Sequence, residues 1–210
     1  MICICVEILI CLPILITVEQ AGSGGWNAAV DNLRRGGVLT LLAHTLAVCA
    51  VATPVCGVIG VAAAWVLERT NVGAKRILAM LIVAPLTIPP FVASYSWVTL
   101  SSAMQGYIGA VVVTSCTYYP LVFLMVTASL RGLDPALEES ARSMGSKPWS
   151  VFRRVVLPQL KPALLGGMLL VALDALVEFD AFAAMKFQTF STDIYAQYQT
   201  SFSESSAAVL

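Results

Sequence analysis

The sequence predicts an all-α fold, a polytopic transmembrane helical bundle, and three observations lead to that class. Of 210 residues, 59% are hydrophobic and only 11% are charged, whereas a soluble domain carries about 25% charged residues. The apolar residues are gathered into blocks near or above the about 20 residues that an α-helix needs to cross a bilayer. Several blocks contain prolines, which membrane helices tolerate where neighbouring groups satisfy the freed backbone. We expect about five spans, with a sixth missing.

Five apolar blocks are the predicted spans, and polar or charged residues bound each of them. The second is longer than one crossing needs, and we expect Pro54 to bend it. Pro85, Pro89 and Pro90 kink the third, so this stretch must face protein or a water-filled cavity. The fourth bends near Pro120. The blocks are residues 2–18, 38–67, 77–100, 107–130 and 162–185.

The two ends of the sequence carry separate expectations. Residues 1–6 hold no positive charge, which argues against a signal peptide and favours a retained first span. Residues 186–206 are polar, and residues 207–210 look like the start of another apolar block. We therefore expect residues 1–210 to form a single transmembrane domain that is truncated at its C-terminus.

One long polar island, residues 134–158, separates the fourth and fifth spans, and we call it the docking hairpin. Asp134 is the predicted N-cap of a first helix, with Pro135 at its first position. Gly145 supplies a left-handed residue that ends this helix, and Pro148 starts a second. Glu138 and Arg142 can pair on the first helix. The apolar faces are Leu137, Ala141 and Met144 on the first helix and Trp149, Phe152 and Val156 on the second. Two such faces without a core predict a surface that docks a partner protein.

The distribution of Lys and Arg gives the orientation. If the docking hairpin is cytoplasmic, nine of the twelve basic residues lie inside and three outside, as the positive-inside rule requires. The inside set is Arg69, Lys75, Arg76, Arg131, Arg142, Lys147, Arg153, Arg154 and Lys161, and the outside set is Arg34, Arg35 and Lys186.

The docking hairpin also carries a spaced motif. Its order is Glu139-Ser140-Ala141, three residues, Gly145, nine residues, Val155, one residue, Leu157-Pro158. This resembles the cytoplasmic coupling loop of ABC-type importer permeases, the binding-protein-dependent inner-membrane components. The family pattern is Glu-Ala-Ala, three residues, Gly, nine residues, Ile, one residue, Leu-Pro. Ser140 and Val155 are the two departures, and both preserve size.

The resemblance implies a type I ABC importer permease, a multi-pass protein of the bacterial inner (plasma) membrane that forms half of a translocation pathway. The implied partners are membrane lipid, a second permease half, an extracytoplasmic substrate-binding protein, and cytoplasmic ATP-binding subunits that grip a coupling loop of residues 131–161. Glu139 would meet a basic residue of the ATPase, Ala141 would allow close packing, and Gly145 would let the chain turn. The ATPase-coupling residues implied are Glu138, Glu139, Ser140, Ala141, Met144, Gly145, Trp149, Phe152, Leu157 and Pro158.

The sequence predicts no enzyme activity, cofactor or metal site in this chain. A G-x-x-x-x-G-K-[ST] phosphate loop is absent, so ATP hydrolysis is expected on a partner. Six cysteines lie in apolar blocks without a C-x-x-C pair, and we expect small buried hydrophobes. His44 lacks the context of a zinc or serine mechanism, and a net charge of zero gives no reason to expect a nucleic-acid partner. A membrane protein that merely recruits a soluble partner is the remaining alternative.

Two further features concern the pathway and its cargo. Asp174 and Glu178 share a stripe of the fifth span with Ala163, Gly167 and Leu170, so both carboxylates either line a polar route or sit at the outer interface and cap helices. Both alternatives stay open.

Cargo is indicated by resemblance alone. The segments 178–180 and 188–195, with residues 68–70 and 85–92, resemble the ferric-iron subgroup of these permeases. Permeases for thiamine, phosphonates or polyamines share parts of these signatures, so the substrate remains open between them and ferric iron.

Overall fold

The computed structural model describes residues 11–12, 15–16 and 37–201, the last five as backbone alone, and this part of the chain is helical without strands. The predicted all-α class is confirmed. The predicted first span falls outside the described residues except for two short helical pieces. The helices are α1 Val38–Arg69, α2 Lys75–Val83, α3 Pro90–Leu100, α4 Tyr107–Gly132, α5 Pro135–Ser143, α6 Pro148–Val151, α7 Leu157–Val177, α8 Asp180–Ala184 and α9 Phe190–Ser201.

Three helices in the described part are long and apolar enough to cross a membrane. They are α1, α4 and the continuous helix Pro148–Val177, which joins α6 to α7. The second and fourth predicted spans are confirmed to within a few residues. Both continue through their internal prolines, Pro54 and Pro120.

The third predicted span is broken more sharply than a proline kink. Lys75–Thr87 and Pro90–Leu100 meet at 91°, with a 3₁₀ turn at Ala84–Thr87 before the break. Pro89 is extended and Pro90 opens α3, so neither residue can donate the backbone bond that would continue a helix. The pair is a broken span or a re-entrant segment, which also needs neighbours that satisfy its backbone.

The fifth predicted span, residues 162–185, is wrong at both ends. Helix α7 begins at Leu157 and follows a π-helical segment, Phe152–Val156, in which Leu157 N–H donates to the Phe152 carbonyl. Pro158 has no N–H, and its ring would clash with the carbonyl four residues earlier, which favours this change of register. The helix ends at Val177, where the next residue is extended.

The larger of two compact units, residues 47–187, is centred on Val122 of α4, which is fully buried. A Cβ added to Gly60 of α1 would lie 2.7 Å from Val122 Cβ, and one added to Gly167 of α7 would lie 2.8 Å from Val122 Cα. The lack of side chains at Gly60 and Gly167 therefore lets α1 and α7 approach α4 closely. The surrounding core includes Cys56, Ala64, Phe123, Val126, Leu130, Val156, Leu160 and Val171.

The smaller unit contains the start of α1 and helix α9. His44 Nδ1 donates to the Gln188 carbonyl at 3.0 Å, and Phe190 N–H donates to Thr45 Oγ1 at 3.0 Å. The sequence indicated only a polar segment here, because the apolar residues of α9 are too sparse to show a helical face.

The cysteines divide by position. Cys56 is buried and Cys49 is half-buried, as small hydrophobes should be, whereas Cys11 and Cys116 are exposed. The prediction of burial is wrong for these two because a membrane helix also presents apolar residues outward, toward lipid.

Candidate coupling site

The first arm of the docking hairpin is built by local backbone chemistry. Asp134 Oδ1 accepts a hydrogen bond of 2.9 Å from Ala136 N–H, and Pro135 is the first residue of α5. At the other end, Gly145 N–H donates to the Arg142 carbonyl and Ser146 N–H donates to the Ala141 carbonyl, at 2.9 and 3.3 Å. This pair of bonds is a Schellman motif. Gly145 has φ +80°, so the predicted cap and the predicted left-handed glycine are confirmed.

The second arm of the docking hairpin, residues 148–158, is the beginning of a span. Lys147 is extended and Pro148 opens α6, as predicted. The helix then runs through the π-helical segment to Val177 without a break. A displacement of this arm is therefore a displacement of α7.

The apolar residues of the docking hairpin do not form two ridges that face water. Met144, Trp149 and Leu137 are exposed by 80%, 70% and 49%, and Glu139 and Ser140 are also exposed. Ala141 and Val156 are buried. Phe152 and Leu157 are half-buried, while Pro158 is exposed at the junction with α7. The predicted outward faces are wrong for the buried members, because the second arm packs on α1 and the first arm packs on the second.

An aromatic group fixes that packing. The Phe152 ring meets the Trp65 ring edge-on, with centroids 4.7 Å apart. The Trp149 ring also stacks on the Phe152 ring, with centroids 5.3 Å apart. Trp65 belongs to α1, so these contacts hold the start of the second arm against the end of that helix.

A charged cluster ties the first arm to two spans. Glu138 is buried, and its Oε1 accepts from Arg69 Nε at 2.8 Å and lies 2.7 Å from Arg69 Nη2. Arg69 Nη2 also donates to the Leu130 carbonyl of α4 at 3.4 Å. The predicted partner, Arg142, is 3.9 Å from the other carboxylate oxygen. Glu138 therefore faces the bundle, in contrast with the partner-facing role that the sequence suggested.

A second ion pair crosses the same helix ends. Arg131 of α4 donates to Glu68 of α1 through Nε at 2.9 Å, and its Nη2 lies 2.8 Å from the same oxygen. Sequence reasoning placed Arg131 in the coupling loop, residues 131–161, but missed its partner Glu68 and the role of Arg69. The only sign of these contacts in the sequence is a pair of adjacent opposite charges, Glu68 and Arg69, at the end of a long apolar block. Charges in that position are equally typical of residues at the membrane interface.

The two candidate pathway carboxylates do not share a stripe. Glu178 lies past the end of α7 and is buried. Its Oε1 accepts from Ala181 N–H at 3.0 Å, and its Oε2 accepts from the Tyr118 hydroxyl. This geometry matches the capping alternative for Glu178. Asp174 remains on α7 and is half-buried, and the described residues contain no cluster of His, Cys, Asp and Glu suited to a metal ion.

Several curated transport proteins are similar in sequence. The Fe(3+)-transport system permease protein FbpB 2 of Haemophilus influenzae is 35% identical over 201 residues, covering 96% of this chain and 40% of the relative. The sulfate permease CysT of Salmonella typhimurium is 30% identical, covering 83% and 68%. The molybdenum permease ModB of Escherichia coli is 29% identical, covering 72% and 76%. The chain thus spans two fifths of the length of the iron permease.

Solved transporters share the fold. A subunit of the MetNI methionine ABC transporter in an inward-facing conformation has a TM-score of 0.66 at 19% identity, covering 82% of this chain and 86% of that one. A subunit of the bacterial alginate ABC transporter, solved with an alginate pentasaccharide-bound periplasmic protein, has a TM-score of 0.73 at 17% identity, covering 99% and 84%. The helical architecture is therefore that of ABC importer permeases.

The sequence profile of one family matches residues 24–210, nearly the whole chain. This match agrees with the apolar spans, with the glycine-hinged docking hairpin between two of them, and with the relatives above. The chain belongs to the binding-protein-dependent transport system inner membrane components, the permeases of ABC importers.

Proposed function

We propose that this chain forms half of the translocation pathway of an ATP-driven importer and that its docking hairpin seats a cytoplasmic ATP-binding subunit. The observation that carries the proposal is the division of the hairpin into two sides. Leu137 and Met144 are exposed beside Glu139, whereas Glu138 is anchored to Arg69. One side is available to a partner, and the other is fastened to membrane helices.

This division allows the docking hairpin to act as a lever on the membrane helices. A pull on the docking hairpin moves α7 directly, because the second arm and α7 are one helix. It moves α1 and α4 through Arg69, which contacts Glu138 and the Leu130 carbonyl. Closure of two ATP-binding subunits would thus rotate three helices as a body, which is a common form of domain switching.

Two further partners complete the proposal. A second permease half would close the pathway, and an extracytoplasmic substrate-binding protein would deliver cargo. The alginate transporter, solved with a periplasmic protein, supports the inference of a substrate-binding protein by likeness of fold. In the same arrangement Asp174, half-buried on α7, is the remaining candidate for the pathway wall.

Ferric iron is the proposed cargo. The iron permease combines the higher identity with the longer coverage of this chain, 35% over 96%, against 30% over 83% for the sulfate permease. An oxyanion such as sulfate or molybdate is the second candidate, because permeases for both are also similar.

The ATPase contact is tested with a photo-crosslinking residue in place of Met144, which is 80% exposed at the tip of the docking hairpin. The same residue in place of Leu165, which is 53% exposed on α7, is the matched control. We expect a crosslinked product with the ATP-binding subunit from Met144 only. Equal products from both sites, or none from Met144, would count against the proposed seat.

The orientation is tested separately with Ser146→Cys, in a variant whose native cysteines are replaced by alanine, and a membrane-impermeant thiol reagent. We expect labelling only when the reagent reaches the cytoplasmic face. Labelling from the outside would place the docking hairpin beyond the reach of ATP-binding subunits.

The cargo is tested by uptake of radioactive Fe(III), sulfate and molybdate in cells that carry or lack the complete transporter. We expect loss of Fe(III) uptake alone. Loss of sulfate or molybdate uptake with normal Fe(III) uptake would favour the second candidate.

A further inference from the structure

Two adjoining cavities lie where the second arm of the docking hairpin meets α1 and α7. The larger, about 670 Å³, is lined almost entirely by apolar side chains. Its walls come from α1, from the start of the second arm and from α7, and they include Gly57, Val58, Val61, Trp65, Phe152 and Met168. We call this cavity the apolar groove. Its volume falls within the about 300–1,000 Å³ that is usual for small-molecule sites.

The second cavity, about 620 Å³, is basic, and we call it the basic pocket. It is lined by Lys147, Trp149, Ser150, Arg153 and Arg154. Arg153 and Arg154 are exposed, and within the described part of the chain no acidic side chain forms an ion pair with any of the three basic residues. Three uncompensated cations beside one another favour an anionic ligand.

Trp149 joins the two cavities, because it lines both of them. A ligand that fills both must therefore have an anionic end and a long apolar end. Exposed tryptophan rings and basic side chains are also the groups that gather at the interface between hydrocarbon and lipid headgroups. An anionic phospholipid has this chemistry, with a phosphate at the interface and acyl chains in the hydrocarbon.

We propose that the apolar groove and the basic pocket together bind one anionic phospholipid of the cytoplasmic leaflet. The phosphate lies among Lys147, Arg153 and Arg154, and one acyl chain follows the apolar groove along α1. The choice of leaflet rests on the orientation given under the proposed function. This assignment places Trp149 and Phe152 on the lipid side of the docking hairpin, in place of the ATPase contact that the sequence suggested.

The site has a consequence for coupling. The acyl chain would lie against Trp65 and Phe152, which hold the second arm to α1. A bound lipid therefore stiffens the connection between the docking hairpin and the spans. Membranes poor in anionic lipid should weaken that connection.

The test measures lipids that remain bound to the full chain, extracted in mild detergent from vesicles of equal phosphatidylglycerol and phosphatidylethanolamine, by native mass spectrometry. We expect the wild type to retain phosphatidylglycerol preferentially. The double variant Arg153→Gln/Arg154→Gln should retain it roughly thirtyfold less, if each basic group contributes about 1 kcal/mol. Both side chains are exposed and unpaired within the described residues, so folding should be unaffected.

Two controls separate this site from general attraction to a charged membrane. Lys75→Gln/Arg76→Gln removes the same charge from another exposed basic pair at the start of α2 and should leave retention unchanged. Val58→Trp fills the apolar groove and should reduce retention, whereas Leu165→Trp, on a residue that does not line it, should not.

Three results would overturn the proposal. They are equal retention of the two lipids by the wild type, equal losses from the two charge variants, and capture of a protein segment by a photo-crosslinker at Val58 in the assembled importer. The assay uses neither ATP nor an ATP-binding subunit. Its failure is therefore distinguishable from failure of the proposed coupling function.

Discussion

Glycine has opposite roles in the docking hairpin and in the helical bundle. At Gly145 a Cβ would meet no atom within 4 Å, and the requirement is the backbone angle φ of +80°. At Gly167 no unusual angle is needed, but a Cβ would lie 2.8 Å from the Val122 backbone. The turn of the docking hairpin is therefore shaped by local conformation, whereas the bundle is shaped by close helix packing.

The largest effect is expected where packing is tightest. Gly167→Ala pushes a methyl group against Val122 Cα, a backbone atom that cannot rotate away. We expect destabilisation of about 3 kcal/mol, at the upper end for overpacked cores, measured by thermal unfolding in detergent. Gly166→Ala is the matched control, because its Cβ would lie 3.5 Å from the flexible end of Met125. Equal effects of the two changes would contradict the close α4–α7 contact.

A smaller effect is expected at the anchor of the docking hairpin. Glu138→Gln removes the charge that faces Arg69, and we expect a loss of about 2 kcal/mol because a half-buried guanidinium is left without its counter-charge. Protease sensitivity of the hairpin and transport per ATP hydrolysed are the measurements. Glu139→Gln alters the exposed neighbouring carboxylate and should leave protease sensitivity unchanged. A stable hairpin in the Glu138 variant would show that the ion pair is dispensable.

The next-largest effect is expected at Gly145, the hinge of the docking hairpin. Gly145→Val forces a β-branched residue into the left-handed region, which costs about 1–2 kcal/mol, and it should uncouple ATP hydrolysis from transport while membrane insertion stays intact. Gly132→Val, at the end of α4 and equally free of neighbours, is the control. Normal transport by the Gly145 variant would count against the lever.

The smallest effect is expected at the N-cap. Asp134→Ala removes the carboxylate that accepts from Ala136 N–H and should destabilise α5 by about 1 kcal/mol. Asp134→Asn keeps an acceptor and should be close to wild type. Hydrogen exchange of the first-turn amides of α5 measures the effect of each substitution. Equal protection in the two variants would show that the Asp134 cap does not stabilise α5.

The comparison of the two regions also explains what could be predicted from the sequence. Asp134, Pro135 and Gly145 act within a few residues of themselves, so the caps and the turn of the docking hairpin followed from local rules. The ion pair between Arg69 and Glu138 joins residues far apart in the chain, and no local pattern indicates it.

The predicted ends of the fifth span were wrong for a related reason. Apolar composition continues past Val177 to Met185, but Glu178 leaves the helix to cap α8 and bind Tyr118. The π-helical segment before α7 could not be predicted from composition either, although Pro158 lies just after it. Composition locates a membrane helix, but specific side-chain contacts decide where it ends.

The central claim is that the docking hairpin moves α1 and α4 through Arg69 and Glu138. A charge exchange tests it most directly, with transport per ATP hydrolysed measured for Arg69→Glu, for Glu138→Arg and for the double exchange in the assembled importer. We predict uncoupling in each single variant and partial recovery in the double exchange, because the ion pair is restored in reverse while the hydrogen bond from Arg69 to the Leu130 carbonyl is lost. Single variants that transport like the wild type, or a double exchange no better than either single change, would contradict the account.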